Sequence, residues 1–146
     1  RTDDLKHIDV KEHFVLLVND LVSSYAVEKK ITFDVDVEEL DIGMRTLVPL
    51  GLIINEIITN SLKYAFINSS EGKIIVHIKH VKGKAYEMIL GDNGVGLIEE
   101  EESTGIGKKL IQIFVKQLNG EMLRLDRVGT VYKIKFTHVK FLNNTT

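Results

Sequence analysis

The stretch Asp92-Asn93-Gly94-Val95-Gly96 constrains this chain more than any other. It closes an apolar alternation, Tyr86, Met88 and Leu90 running into Gly91-Asp92, so a carboxylate stands at a strand end with two glycines just after it. Some thirty residues earlier a helical pattern carries Glu56, Asn60 and Lys63. Either element alone is ordinary. In this order they make a ligand cleft: a carboxylate to read a base, a carboxamide to hold a metal, and glycines where the backbone bends around a bound group.

The helix is legible from its wheel. At about 100° per residue, with Glu56 at zero, Asn60 falls near about 40° and Lys63 near about −20°. Ile54, Ile58, Leu62 and Ala65 lie on the opposite side, which is expected to pack on a sheet. The plain reading is a solvated face with a Glu56–Asn60 contact at i,i+4. The chemical reading is a magnesium-phosphate site. Mg²⁺ takes hard oxygen ligands and keeps several waters, so one Asn carbonyl plus phosphate oxygens suffices, and Lys63 one turn on neutralises a phosphate.

The loops add weight to the chemical reading. Asp92 can accept a hydrogen bond from an adenine N6 amine, whereas guanine presents a carbonyl at that edge and is repelled. Gly94 and Gly96 let the backbone approach a ligand. A type I′ Asn-Gly hairpin is the plainer alternative, but a hairpin does not need the second glycine. Ser103-Thr104-Gly105-Ile106-Gly107 opens a later helix, whose free N–H groups and positive dipole end make an anion site, with Lys108 and Lys109 adding charge. A plain N-cap with a glycine hinge is the alternative there. No P-loop, dinucleotide fingerprint or protein-kinase signature set occurs.

Organisation follows from periodicity. Val10, Phe14, Leu17, Leu21 and Tyr25 predict a first amphipathic helix, and Ile31, Phe33, Val35 and Val37 a half-buried strand. Pro49, the only proline, is expected at the first position of the second helix, which runs to about Phe66. Strands follow near 73–81 and 85–91, joined through Lys82-Gly83-Lys84. A loop over 94–104 holds the acidic run Glu99 to Glu102. The third helix is expected to turn Ile106, Leu110, Ile113, Phe114 and Leu118 inward and to end at Asn119-Gly120. Strands near 121–126 and 130–138 close the chain, with Tyr132, Ile134 and Phe136 opposite Lys133 and Lys135. The order α-β-(short β)-α-β-β-α-β-β predicts an α+β two-layer sandwich, a mixed sheet covered on one face by three helices. All 146 residues read as a single domain, with 1–9 an N-terminal arm and 139–146 a C-terminal tail.

Composition narrows the class. A net charge of −2 offers no basic field for nucleic acid. No apolar run reaches the roughly 18 residues of a membrane span, so no direct membrane contact is expected. The absence of cysteine fits a reducing, cytoplasmic setting. With no initiator Met at Arg1, the chain reads as a piece of a longer protein.

The Asp92-x-Gly94-x-Gly96 loop, the Glu56-x-x-x-Asn60-x-x-Lys63 helix and Gly105-Ile106-Gly107 resemble the G1, N and G2 boxes of the GHKL ATPase superfamily. More narrowly, Pro49 to Glu56 running into Thr59-Asn60-Ser61-Leu62-Lys63-Tyr64-Ala65-Phe66 resembles the catalytic ATP-binding domain of a bacterial sensor histidine kinase. The likeness covers roughly residues 10 to 138. It implies the Bergerat (histidine-kinase ATPase) fold, with ATP and Mg²⁺ between the helical layer and a lid loop. It also implies Asn60 as metal ligand, Glu56 as the residue that orients or activates the attacking group, and Tyr64 as a ring near the adenine. Gly129-Thr130 resembles the pair that opens a late strand beneath the nucleotide, which makes Thr130 a secondary candidate. Two departures stand out: Lys108 where the family has an apolar residue, and a short lid with four successive glutamates.

Such a kinase phosphorylates a histidine, and none of His7, His13, His77, His80 and His138 lies in acceptor-like sequence. The acceptor is therefore expected upstream, on a histidine-bearing dimerisation domain, with a response regulator receiver domain as the next partner. A GHKL serine kinase of the anti-sigma type and a non-catalytic nucleotide-gated module are the alternatives. The Pro49–Phe66 segment argues against the first, and Glu56 together with Asn60 against the second.

Overall fold

The computed structural model describes residues 9–38, 40, 42–96 and 106–137. The lid with Glu99 to Glu102, Gly105, His7, His138, and the N-terminal arm before Asp9 and the C-terminal tail lie outside the described residues. In chain order the elements are α1 (Val10–Tyr25), β1 (Lys30–Val37), α2 (Met44–Asn60) continued by a π turn (Ser61–Ala65), β2 (Glu71–Lys82), β3 (Ala85–Asp92), α3 (Ile106–Gln117), β4 (Glu121–Arg124) and β5 (Val131–Thr137).

The five strands form one mixed sheet in the order β1-β2-β3-β5-β4. β1 and β2 run parallel from Lys30↔Glu71 to Val37↔Ile78, and the other pairs are antiparallel. A parallel pair requires a crossover, and α2 supplies it. Period-two alternation puts Ile31, Val35, Val37, Ile74, Val76, Ile78, Met88, Leu90, Ile134 and Phe136 into the core under the helices. Asp34, Asp36, Lys79 and Lys135 face away from it. This is the expected α+β sandwich with three helices on one face.

Connectivity positions the site. α2 leaves the end of β1 and returns to the start of β2. Its C-terminal turn therefore lies at the sheet end where β2 begins, antiparallel β3 finishes (Ile74↔Asp92) and β5 starts (Gly91↔Val131). The helix returns there because Leu47, Leu50, Ile53, Ile54, Ile57 and Ile58 form one buried arc. Each such side chain contributes roughly 1.5–3 kcal/mol on burial.

Several expectations need correction. Pro49 does not open α2: the helix begins at Met44, and Pro49 is buried within it. Pro49 cannot donate to the Arg45 carbonyl, a loss offset by packing its ring on the core side of the arc. α2 does not stay α-helical to Phe66 but widens into the π turn. In α1 the buried line is Val10, Phe14 and Val18, and Tyr25 is 46% exposed, because i,i+4 steps stay closer to the core than the longer line that ended at Tyr25. In α3 Ile111, Val115 and Leu118 are buried while Ile113 is 51% exposed, a rotation that the many apolar residues of this helix left undecided. α3 ends in a Schellman turn in which Asn119, not Gly120, takes the left-handed conformation (φ 52°). Asn119 N–H donates to Lys116 O at 2.9 Å and Gly120 N–H to Val115 O at 2.9 Å. No short strand lies between β1 and α2 among the described residues.

Candidate functional site

Asp92 is the last residue of β3 and only 2% exposed. A buried carboxylate needs donors, since it can only accept. Its Oδ1 accepts from Gly94 N–H at 2.8 Å and Thr130 N–H at 3.2 Å, and its Oδ2 accepts from the Ser61 hydroxyl at 2.5 Å. Its backbone N–H donates to Thr130 O at 2.9 Å. One carboxylate thus ties β3, the start of β5 and the π turn of α2 together.

The loop after Asp92 is fastened on two further sides. Asn93 N–H donates to Lys73 O at 3.2 Å, and Asn93 Oδ1 accepts from Lys73 N–H at 2.8 Å, extending the ladder to β2 by one side chain. Val95 N–H donates to Ala65 O at 3.0 Å, so a carbonyl at the end of the π turn is satisfied by the loop. A Cβ on Gly94 would run into the backbone and Cβ of Ala65. That close approach, not a turn conformation, is what glycine serves there. The hairpin alternative is excluded, because a type I′ turn needs positive φ at Asn93 and Gly94 and neither has it. Gly96 does turn with φ 82°. Gly129 (φ 85°) would collide with the Asp92 carbonyl if it carried a Cβ. The Gly129-Thr130 pair therefore brings β5 onto the Asp92 backbone, and buried Thr130 also accepts from Arg124 Nη2 at 3.4 Å.

Glu56 and Asn60 are half-buried on the last two turns of α2. The Glu56–Asn60 hydrogen bond of the plain reading does not form, and among the described residues neither side chain has a hydrogen-bond or ion-pair partner. Both polar groups are uncommitted beside a fully bonded network. Lys63 is exposed, with Nζ 5.8 Å from the centroid of the Tyr25 ring on α1. Tyr64 is 41% exposed. Ile106 begins α3, and Gly107 follows in its first turn, which holds no acidic residue.

The molecule thus joins Asp92, Gly94 and Thr130 by direct hydrogen bonds and adds Ser61, which the motifs did not single out. A signal for Ser61 existed: on the helical wheel it falls at about 140° from Glu56, inside the apolar arc, where a hydroxyl needs a partner. Arg124, on β4, was missed for want of any local pattern. No group of three or more His, Cys, Asp or Glu among the described residues could cage a metal. The donor set does fit an ion that takes a single protein oxygen, such as the Asn60 carbonyl, and completes its shell with phosphate and water.

No protein-family model matches the chain. Over 103 residues it is 25% identical to Blue-light-activated histidine kinase 2 of Erythrobacter litoralis, a match that covers 68% of this chain and 30% of that protein. The fold matches the histidine kinase domain of a blue-light-activated histidine kinase from Erythrobacter litoralis with a TM-score of 0.79 at 20% identity, over 91% of this chain and 63% of that one. It matches the mycobacterial sensor histidine kinase MprB with a TM-score of 0.68 at 15% identity, over 92% and 99% of the two chains. Full-length ShkA, solved in complex with AMPPNP, gives a TM-score of 0.64 at 15% identity, over 92% of this chain and 31% of that one. The chain therefore shares a fold with histidine kinase domains and spans 30% of the length of the curated relative.

Proposed function

We propose that this chain is the ATP-binding catalytic domain of a two-component sensor histidine kinase of the GHKL superfamily. It transfers the γ-phosphate of ATP to a histidine on a separate dimerisation domain, from which a response regulator receiver domain takes it. The observation that carries the reading is the Asp92 carboxylate. It is buried and held by three donors at the sheet end, next to a helix turn that presents Glu56 and Asn60 without partners among the described residues. The AMPPNP complex of the fold neighbour ShkA is consistent with a nucleotide in such a site.

On this reading Asp92 Oδ2 accepts from the adenine N6 amine, and Gly94, Gly96 and Thr130 bound the base pocket. Asn60 offers its carbonyl oxygen to Mg²⁺, which neutralises phosphate charge when bound. Glu56 positions the acceptor imidazole. Lys63 and the backbone around Gly105, Ile106 and Gly107 serve the phosphates, Lys63 after leaving the Tyr25 ring, and Tyr64 flanks the base. Phosphoryl transfer asks chiefly for positioning and charge neutralisation, which suits a site without a strong nucleophile. His77 and His80 are anchored in the sheet, by Asp34 Oδ2 at 3.0 Å and Gly83 O at 2.5 Å. His13 lies on α1 with its ring 5.5 Å from that of Phe14. No helix among the described residues is long and apolar enough to cross a membrane, and a cytoplasmic setting is part of the proposal.

The test is phosphotransfer from Mg-ATP to the separately supplied acceptor domain of the parent protein. Acid-labile phosphate on that domain is expected, with Glu56→Gln slowing transfer more than it weakens ATP binding. ATP binding without transfer to any acceptor domain would leave a nucleotide-gated module instead.

A further inference from the structure

The Ser61 hydroxyl has no place in the scheme above, yet it makes the shortest hydrogen bond to the carboxylate at its centre. Ser61 is 1% exposed and opens the π turn. Its hydroxyl lies 2.5 Å from Asp92 Oδ2. A carboxylate only accepts, so the hydroxyl proton is committed to Oδ2. Oδ1 is already occupied by the Gly94 and Thr130 N–H groups, both from backbone. Oδ2 is therefore the only oxygen of Asp92 left for a ligand, and Ser61 occupies one side of it.

We propose that Ser61 is the positioning residue that sets base selectivity: by donating to one side of Oδ2 it leaves the Asp92 carboxylate a single direction in which to accept from a 6-amino purine. The inference rests on the reading of Asp92 as the adenine contact. Two backbone donors locate Oδ1 and, through it, the torsion about Cβ–Cγ, but they leave both lone-pair directions of Oδ2 open. A charge-assisted hydroxyl bond from a buried helix turn fills one of them. Without the hydroxyl, a water can take its place, and water either donates or accepts. Such a bridge tolerates a 6-hydrogen or 6-oxo base, so selectivity falls even though the carboxylate remains. The position of the hydroxyl follows from the helix: Ser61 faces the sheet among Ile57, Ile58 and Ala65, all buried, and meets Asp92 where β3 ends.

The probes are ATP and its analogue lacking the 6-amino group, purine riboside 5′-triphosphate, titrated with Mg²⁺ by calorimetry into the wild-type chain, Ser61→Ala and Ser61→Cys. The wild type is expected to prefer ATP by at least about tenfold, the worth of one charge-assisted hydrogen bond. Ser61→Ala should shrink that preference to within about threefold while leaving affinity for the analogue within about twofold. Ser61→Cys keeps the bulk but offers a weak donor, so it should follow Ser61→Ala in selectivity and the wild type in melting temperature; it also carries the test if Ser61→Ala does not fold. Parallel losses for both nucleotides would make Ser61 a packing residue and overturn the proposal, as would an undiminished preference in either variant. A wild-type chain that binds both equally removes the Asp92 contact itself. That outcome fails the functional reading, and this proposal with it.

Discussion

Replacing Asp92 with asparagine separates base recognition from folding, and the geometry fixes how. The carboxamide introduced there has one sensible orientation: its oxygen must keep accepting from Gly94 and Thr130, because the flipped amide would point two protons at two N–H donors. The new NH₂ then replaces Oδ2. It meets the Ser61 hydroxyl, which can rotate to accept, so one hydrogen bond is kept between the two side chains. All three bonds lose their charge assistance, at about 1 kcal/mol each, so the ligand-free chain should lose about 3 kcal/mol and melt about 8–15 °C lower while remaining folded. Toward ligand the effect is larger and selective. An NH₂ facing the N6 amine sets donor against donor and removes a charge-assisted bond worth roughly 1.5–3 kcal/mol, or about 10- to 150-fold in Kd for ATP. GTP, whose O6 can accept from that NH₂, should gain or hold its affinity. Calorimetry with both nucleotides on both proteins measures this. Equal ATP and GTP binding by the wild type, or an unchanged ATP affinity in Asp92→Asn, refutes the reasoning.

Asn60→Ala should leave the ligand-free melting temperature within about 2 °C, since its carboxamide has no partner to lose among the described residues, while abolishing the magnesium-dependent part of ATP binding; an unfolded variant would make Asn60 structural. Gly94→Ala should destabilise by about 1–3 kcal/mol and loosen the loop, because the added methyl meets the Ala65 backbone, whereas Gly43→Ala, with open space around it but at the N-cap of α2, should cost less than about 1 kcal/mol in denaturant titrations. The chain alone with Mg-ATP should acquire no acid-labile phosphate, because His77 and His80 are held in the sheet by their hydrogen bonds. Phosphate that appears and then vanishes in His7→Gln would show that the acceptor was present all along.

What could be read from sequence was whatever obeys a local rule. The alternation of Tyr132, Ile134 and Phe136 against Lys133 and Lys135, and the apolar side of Ile54, Ile58, Leu62 and Ala65, came through because strand and helix periods impose them. Asp92, Gly94 and Thr130 were legible as candidates because their spacing follows a motif, and the fold then joined them by direct bonds. Pro49 misled because a first-turn proline is a statistical preference, which a buried arc starting at Thr46 and Leu47 overrides. The face of α3 misled because Ile113 and Ile111 are equally apolar, and only the tertiary partner decides between them. For Ser61 and Arg124 what stayed hidden was the partner. Their partners, Asp92 and Thr130, are 31 and 6 residues away and come within reach only through the chain's own crossings.

The two halves of the site differ in how far they are built before a ligand arrives, and that difference has a consequence for the proposed reaction. The half proposed to read the base is already tied down. Asp92, Asn93 and Val95 are bonded to β2, β5 and the π turn, so on the proposed reading accepting an adenine would cost little reorganisation. The chemical half is open: Glu56 and Asn60 have no partner among the described residues, and Lys63 rests over a tyrosine on another helix. Groups of this kind gain their partners only when phosphate, metal and imidazole are present, so their contribution belongs to the ternary complex and not to the fold. A domain arranged this way binds its nucleotide without waiting for an acceptor and does chemistry only when one is delivered. The π turn makes both halves possible in one helix. Its first residue bonds Asp92 and its last carbonyl bonds Val95, while the α-helical turns just before it keep Glu56 and Asn60 clear of that network.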